Sequence, residues 1–245
     1  MVKKTTLSRY ATSMPSKRYI EVDLLRGLAI VLMVAFHLSY DLNHFGYIDI
    51  NIRYGLDWRY FRYLILTLFI VTVGISLVLA NRENIDLRKV FIRTSKLLVA
   101  SLLITAASYF MNPSMWIYFG VIHFILLGSL AGVLFVHRPY LSLVVGVSII
   151  LLYNLGLANM HWLYNDLQEL LHLPRHTEDL VQFVPWFGVL LIGIFIGDRR
   201  WYALGIKSSR VTEYLAFLGQ HTLIIYLIHQ PILFGIFELL RMLKS

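Results

Sequence analysis

The residues best suited to chemistry stand near the end of the first apolar segment of the chain. His37, Asp41 and His44 are spaced i, i+4 and i+7, so they share one face if this segment is helical. A carboxylate one turn from a histidine can fix the imidazole tautomer and raise its basicity, as a general base requires. An ionisable cluster at the end of a lipid-length helix is costly and usually functional. The alternative is a polar helix end that faces water.

The composition identifies the class of protein that must position these groups. Of 245 residues, 58% are hydrophobic and only 15% are charged, with a mean hydropathy of +0.67, which is typical of an integral membrane protein. The absence of cysteine excludes disulfides, thiolate metal sites and a cysteine nucleophile. A net charge of +8 would suggest nucleic acid in a soluble protein. Here the basic residues flank apolar runs, so we expect no nucleic-acid partner.

Apolar runs of helical length predict an all-α, polytopic transmembrane helix bundle. A span needs about 20 apolar residues. About seven segments qualify: Leu24–Asp41, Phe61–Ala80, Lys96–Phe110, Trp116–Val136, Leu141–Leu157, Val181–Ile196 and His221–Leu239. Pro185, near the start of the sixth, predicts a broken or re-entrant helix. Residues 1–19 are expected to form a disordered basic cytoplasmic tail, and residues 20–245 a single transmembrane domain. The 158–180 connection contains a short amphipathic pattern that suits the membrane surface.

The distribution of basic residues predicts the orientation. Of the 22 Lys and Arg residues, 16 fall on one side of the seven segments and six on the other. The smaller group is Arg53, Arg59, Arg62, Arg175, Arg241 and Lys244. Because Lys and Arg are enriched in cytoplasmic loops, the N-terminus is predicted to be cytoplasmic and the C-terminus external.

Three histidines lie within the predicted spans: His37, His123 and His229. Each is a candidate for chemistry, and each can instead be an interhelical hydrogen-bond donor. At about 1.5 Å per residue, His37 lies roughly 20 Å from the cytoplasmic end of its helix and His229 roughly 12 Å from that side. The sequence thus predicts different depths for these two. We favour chemistry for His37 and a structural role for His229, and we leave His123 open.

Basic side chains at the cytoplasmic helix ends can bind a phosphate-rich molecule such as coenzyme A. The candidates are Arg26, Arg82 and Arg199. Arg26 precedes Gly27 at the start of an apolar helix, where it can snorkel or hold a phosphate near the helix N-terminus. The alternative is that these arginines only set the membrane orientation, because Lys and Arg are enriched at cytoplasmic helix ends. No metal site is expected, because Pro174 interrupts the helical spacing of His172 and His176.

Three motifs resemble one known family. The stretch VDLLRGLAIVLMVAFH, with Asp23, Arg26, Gly27, Ala29 and Met33, resembles the first helix of the heparan-alpha-glucosaminide N-acetyltransferase catalytic family, a branch of the transmembrane acyltransferases. FVPWFGVLLIGIFIGD is similar to that family's P-W-x-G-x-x-x-x-G pattern, here Pro185, Trp186, Gly188 and Gly193. HTLIIYLIHQPIL, with Tyr226, His229 and Pro231, resembles the closing helix of the wider O-acyltransferase relatives.

The resemblance implies a multi-pass membrane acyltransferase, which we expect in the bacterial inner membrane. Such enzymes take acetyl groups from cytoplasmic acetyl-CoA, their co-substrate, and pass them to a sugar amine or hydroxyl on the far side. The family places a reactive histidine in the outer loop. This chain offers His44 there, or His37 within the helix, as the general base, with Asp41 as the orienting group. The sequence also leaves open a mechanism in which His37 carries the acyl group covalently.

The expected partners are membrane lipids, acyl-coenzyme A and a sugar or glycan acceptor, and the sequence leaves a homo-oligomer open. A proton-coupled transporter is the alternative function, because intramembrane His and Asp also suit a proton relay. Transporters often pair broken helices in two halves, whereas we count one proline-marked helix here, which disfavours this function. A third possible function is a non-catalytic membrane scaffold. Release of free thiol from acetyl-CoA would distinguish an acyltransferase from a transporter and from a scaffold.

Overall fold

The computed structural model describes residues 19–52, 54–207 and 209–244. Within these residues the regular structure is helical, and the β-structure is limited to one isolated bridge. Most of the predicted N-terminal tail, and Arg53 of the charge count, lie outside the described residues. A 3-10 turn, Val133–Phe135, extends α4. The α-helices are α1 Ile20–His44, α2 Leu56–Ala80, α3 Leu87–Met111, α4 Val121–Gly132, α5 Pro139–Asn154, α6 His161–Leu170, α7 Phe183–Arg199, α8 Arg210–Gln220 and α9 Thr222–Met242.

Four helices, α1, α2, α3 and α9, are long and apolar enough to cross a membrane, and α4 and α5 are shorter apolar helices. Each of the seven predicted segments falls on a helix, the sixth on α7. The count of seven spans and the orientation stay predictions. We call the side where α1 begins and α2 ends the near side, and the side where α1 ends at His44 the far side.

Prolines mark two of these helices. The helical backbone of α7 is interrupted at Val184 (φ −82°, ψ 118°), directly before Pro185, which confirms the predicted break. Pro231 lies inside α9, so our count of one proline-marked helix was wrong. An interior proline removes one backbone N–H, yet a packed membrane helix can continue through it.

Glycines allow α7 to pack directly on α2. A Cβ added to Gly193 would lie 2.6 Å from the Val71 carbonyl oxygen, and one added to Gly197 would lie 2.9 Å from the Ile75 Cα. These distances leave no room for a side chain. The Gly193-x-x-x-Gly197 spacing therefore serves helix packing, as small-residue spacings do in membranes.

A second close approach joins α8 to the first turns of α1. A Cβ on Gly27 would lie 1.9 Å from the Leu215 carbonyl oxygen, and a Cβ on Gly219 would lie 1.8 Å from that of Asp23. The α8 helix thus ends beside the start of α1, and α9 begins two residues later. Further along the bundle the rings of His229 and His37 lie 4.8 Å apart, so the predicted difference in depth was wrong.

On the far side, two connections pair along their backbones. The N–H of Glu178 donates to the Met115 carbonyl at 3.0 Å, and that of Val181 donates to Phe119 at 3.0 Å. The Glu178 carboxylate also accepts from the Tyr40 hydroxyl of α1 at 2.9 Å. The paired segments thus cover the far-side ends of α1 and α3 and fix the point where α4 begins.

Candidate functional site

A cavity of about 480 Å³ opens on the near side between α1, α2, α3, α4 and α9. Arg26 of α1 and Arg93 of α3 line it, together with the carboxylate of Asp23. Arg26 donates to Asp23 Oδ1 at 3.1 Å and to the Ser76 hydroxyl, and its side chain remains 29% exposed. Two guanidinium groups beside one carboxylate give this wall an excess positive charge, which suits an anionic ligand.

The three arginines predicted to bind the donor lie in different places. Arg26 lines the cavity. Arg82 is exposed just beyond α2 and is outside the described lining. The Arg199 guanidinium lies 4.5 Å from the ring centroid of Tyr140, and its Nε lies 3.6 Å from the Asp198 carboxylate.

Sequence reasoning missed Arg93, which it counted only as a topology charge. Arg93 donates to the Ser129 hydroxyl of α4 at 3.4 Å. The available signal was its spacing from Leu97 and Ala100, the buried face of α3. At i+4 and i+7 these positions share one helical face, so Arg93 points inward with them.

Aromatic rings lead from the inner end of the cavity to the histidines. Phe69 and Tyr226 line this end, with ring centroids 6.5 Å apart. The Tyr226 ring lies 5.7 Å from the His229 ring, which lies 4.8 Å from the His37 ring. The structure therefore brings together the histidine expected to be catalytic and the one expected to be structural, and Tyr226 connects them to the cavity.

One hydrogen bond fixes the tautomer of His229. Its Nδ1 lies 2.8 Å from the Tyr226 carbonyl oxygen, which can only accept, so we assign the proton to Nδ1. The Nε2 atom then carries a lone pair. It is buried and has no hydrogen-bond partner among the described residues. A nitrogen in this state can take a proton or attack an acyl carbon.

Asp41 is completely buried, and its partner is on α9. Its Oδ1 accepts from Gln230 Nε2 at 2.9 Å, while within the described chain Oδ2 has no partner. The hydrogen bond of Asp41 is therefore with Gln230 rather than with His37. His37 pairs with His229, and one turn further along α1 Asp41 pairs with Gln230, the residue that follows His229. We call these four residues the α1–α9 polar cluster.

His44 and His123 lie apart from this cluster. His44 is exposed at the end of α1, where its ring stacks on Tyr40 with centroids 6.4 Å apart. His123 lies in the first turn of α4, where its Nδ1 accepts from Gly120 N–H at 3.2 Å. Its Nε2 lies 3.0 Å from the Thr105 hydroxyl, which donates to the Ile117 carbonyl at 2.9 Å. Both ring nitrogens of His123 thus help to hold the start of α4.

Comparison with known proteins gives one match. The family model described as "Heparan-alpha-glucosaminide N-acetyltransferase, catalytic" matches residues 18–231. No curated protein and no solved structure matches the chain. The matched range includes the cavity lining, from Tyr19 to Tyr226, and the whole α1–α9 polar cluster.

Proposed function

The chain belongs to the heparan-alpha-glucosaminide N-acetyltransferase catalytic family, and from this premise we propose that it moves an acetyl group across a membrane. The donor is acyl-CoA on the near, cytoplasmic side, and the acceptor is an amine or hydroxyl of a sugar or glycan on the far side. One observation carries the proposal: the cavity that holds Arg26 and Arg93 ends at Tyr226, which lies beside the paired rings of His229 and His37.

The cavity suits each part of such a donor. Arg26 and Arg93 provide charged donors for phosphate groups, and guanidinium groups bind phosphate through parallel hydrogen bonds. The apolar side chains of Leu97, Ile122 and Ile125 continue the lining and can pack along a flexible arm. A thioester at the end of that arm would reach the level of Tyr226, next to the unpartnered Nε2 of His229.

The polar cluster supplies the proton transfer. In the proposed reaction the acceptor nitrogen or oxygen attacks the thioester carbonyl, and His229 Nε2 removes the acceptor's proton. The intermediate collapses, the carbon–sulfur bond breaks, and the proton passes to the departing thiolate. Base catalysis of this kind contributes about 10² to 10⁴ in rate. The His37 ring packs against the base, and Gln230, the residue after His229, is held by its hydrogen bond to Asp41.

We place the catalytic pair at His37 and His229 rather than at His44. The His229 ring lies next to Tyr226, which lines the cavity, and the His37 ring packs on it, whereas His44 is exposed at the far-side rim. The chain is an integral membrane protein, for which we propose seven spans, a cytoplasmic N-terminus, a single domain over residues 20–245 and a place in the bacterial inner membrane.

Donor binding gives the first test. Purified protein should release free thiol from acetyl-CoA when an amino-sugar or glycan acceptor is supplied. Arg26→Ala and Arg93→Ala should each weaken CoA binding about ten- to a hundredfold, because hydrogen bonds to charged groups contribute about 1.5–3 kcal/mol. Titration calorimetry in detergent measures this change.

Arg82→Ala and Arg199→Ala are the matched controls, since both remove a near-side arginine outside the cavity lining. Equal CoA affinity in all four variants would place the donor elsewhere. Proton uptake into vesicles without thiol release would instead support the transporter.

A further inference from the structure

We propose that the Tyr226 hydroxyl is a catalytic group of this site. It donates a hydrogen bond to the acyl carbonyl oxygen of the donor and stabilises the negative charge that develops there during transfer. The inference rests on the proposed function. A histidine base activates the acceptor but does not stabilise the negative charge on the carbonyl oxygen, and we assign that second task to Tyr226.

The position of Tyr226 fits this role. Its side chain lines the inner end of the donor cavity, where it lies edge-on to the buried ring of Phe69. On its other side its ring contacts His229. A carbonyl that reaches the histidine pair from the cavity must therefore pass beside Tyr226.

The Tyr226 hydroxyl is available, whereas the other hydroxyls along the cavity wall are not. Among the described residues its side chain forms no hydrogen bond, and the side chain faces the cavity. Three lining hydroxyls are used by main-chain carbonyls of their own helices: Thr72 donates to Phe69 at 2.8 Å, Thr222 donates to Gly219 at 2.6 Å, and Ser76 donates to Thr72. Tyr19 stands at the near-side entrance, against the Tyr202 ring. Tyr226 is thus the hydroxyl left to donate at the inner end.

The same residue also sets the state of the base. The Tyr226 carbonyl accepts from His229 Nδ1, which leaves the lone pair on Nε2. Residues three apart on a helix are neighbours, about 5–6 Å between their Cβ atoms. One turn of α9 therefore presents a proton acceptor and a proton donor side by side, the spacing that attack on a carbonyl requires.

The chemistry balances without a further reactant. The acceptor attacks the carbonyl carbon, the carbon–oxygen π electrons move onto oxygen, and the Tyr226 O–H bonds to that oxygen without transferring its proton. When the π bond re-forms, the thiolate departs and receives the proton held by His229. The tyrosine returns to its initial state.

Tyr226→Phe gives the direct test, because it keeps the ring and the main-chain carbonyl and removes only the hydroxyl. It should lower kcat about 10²- to 10³-fold, the usual loss for one oxyanion donor, while KM for acetyl-CoA changes little. Tyr63→Phe is the control: Tyr63 also packs its ring on an aromatic neighbour, Trp186, but does not line the cavity. Wild-type kcat in folded Tyr226→Phe protein would overturn the inference.

A measurement on the unmodified protein keeps the test independent of how the variant folds. Infrared difference spectra of bound acetyl-CoA, carrying ¹³C at the thioester carbonyl, should show the carbonyl stretch shifted to lower frequency than in solution. An unshifted band would overturn the inference even if Tyr226→Phe is inactive. If the wild-type protein binds the donor but never releases thiol, the proposed function fails, which separates the two outcomes.

Discussion

At the scale of single residues, two imidazoles share one small space. The rings of His37 and His229 lie 4.8 Å apart and approach edge to face. We expect the two rings to act as one unit in the proposed reaction, so the loss of either ring should impair the function of the other.

This coupling predicts the behaviour of the histidine variants. His37→Ala and His229→Ala should each lower acyl transfer at least tenfold, equivalent to about 1.4 kcal/mol in the barrier. The double variant should be little worse than the more damaged single variant, because groups that act together are not additive. Initial rates of thiol release with a saturating acceptor measure all three.

His44→Ala is the control for this prediction, since His44 is exposed outside the polar cluster. Its rate should stay within a few-fold of wild type. If His44→Ala abolishes transfer while His37→Ala leaves most of it, the reactive group lies in the far-side loop and the paired histidines serve packing.

The sequence pointed to the part of the candidate site that one helix carries. His37 and Asp41 follow from spacing along α1, and Arg26 from its place at a helix start, whereas His44, on the same predicted face, lies apart from the cluster. The partners of these residues come from other helices: Arg93 from α3, and Tyr226, His229 and Gln230 from α9. Helical periodicity predicts which side chains share one face of a helix. It does not predict which other helix packs against that face.

At the scale of helices, α8 packs its backbone directly on the first turns of α1. Gly27 and Gly219 let the two backbones touch near Asp23. Arg26 and Gly219 both line the cavity, and α9, which carries His229, begins two residues after α8 ends. We therefore expect a shift of α8 to change the cavity and the histidine pair together.

Substitution at these glycines tests that link. Gly27→Ala and Gly219→Ala would each place a Cβ within 2 Å of a backbone oxygen, so the helices must separate. Overpacking of this kind costs about 1–3 kcal/mol, so we expect a lower Tm in detergent and weaker CoA binding. Calorimetry follows both quantities.

Gly235→Ala provides the matched control within α9, because a Cβ there meets nothing within 4 Å. Alanine in a helix interior is favoured over glycine by about 0.5–1 kcal/mol, so this variant should be as stable as wild type or slightly more stable. Equal losses at all three glycines would mean that the α1–α8 contact has no special role.

The helices themselves were largely predictable, and α8 shows where prediction ended. Apolar runs located each of the apolar helices, and the amphipathic pattern in the 158–180 connection corresponds to α6. Hydropathy did not reveal α8, a short amphipathic helix in a basic connection. Its signal was local: Ser209 caps the helix by accepting from the N–H of Thr212 at 3.2 Å.

At the scale of the whole molecule, the charge distribution predicts the topology. A reporter fused to the C-terminus should read as external, and one inserted between Arg82 and Arg88 should read as cytoplasmic, because 16 of 22 basic residues fall on the N-terminal side. Paired fluorescent and alkaline phosphatase fusions measure the two positions. If both reporters read as cytoplasmic, the seven-span arrangement is wrong. The proposed assignment of donor and acceptor to opposite sides then loses its support.

The position of His37 along α1 determines how far each substrate must move into the bilayer. His37 lies 17 residues after Ile20 and seven before His44, so the proposed reacting centre is about 25 Å from one end of the helix and about 10 Å from the other. In the proposed transfer, neither large substrate would have to travel that whole distance. The nucleotide of the donor would stay on its own side, the glycan would stay on the other, and only a two-carbon fragment would be exported. A cell with such a protein could modify its outer surface at the expense of its internal acetyl pool, without a carrier for either molecule.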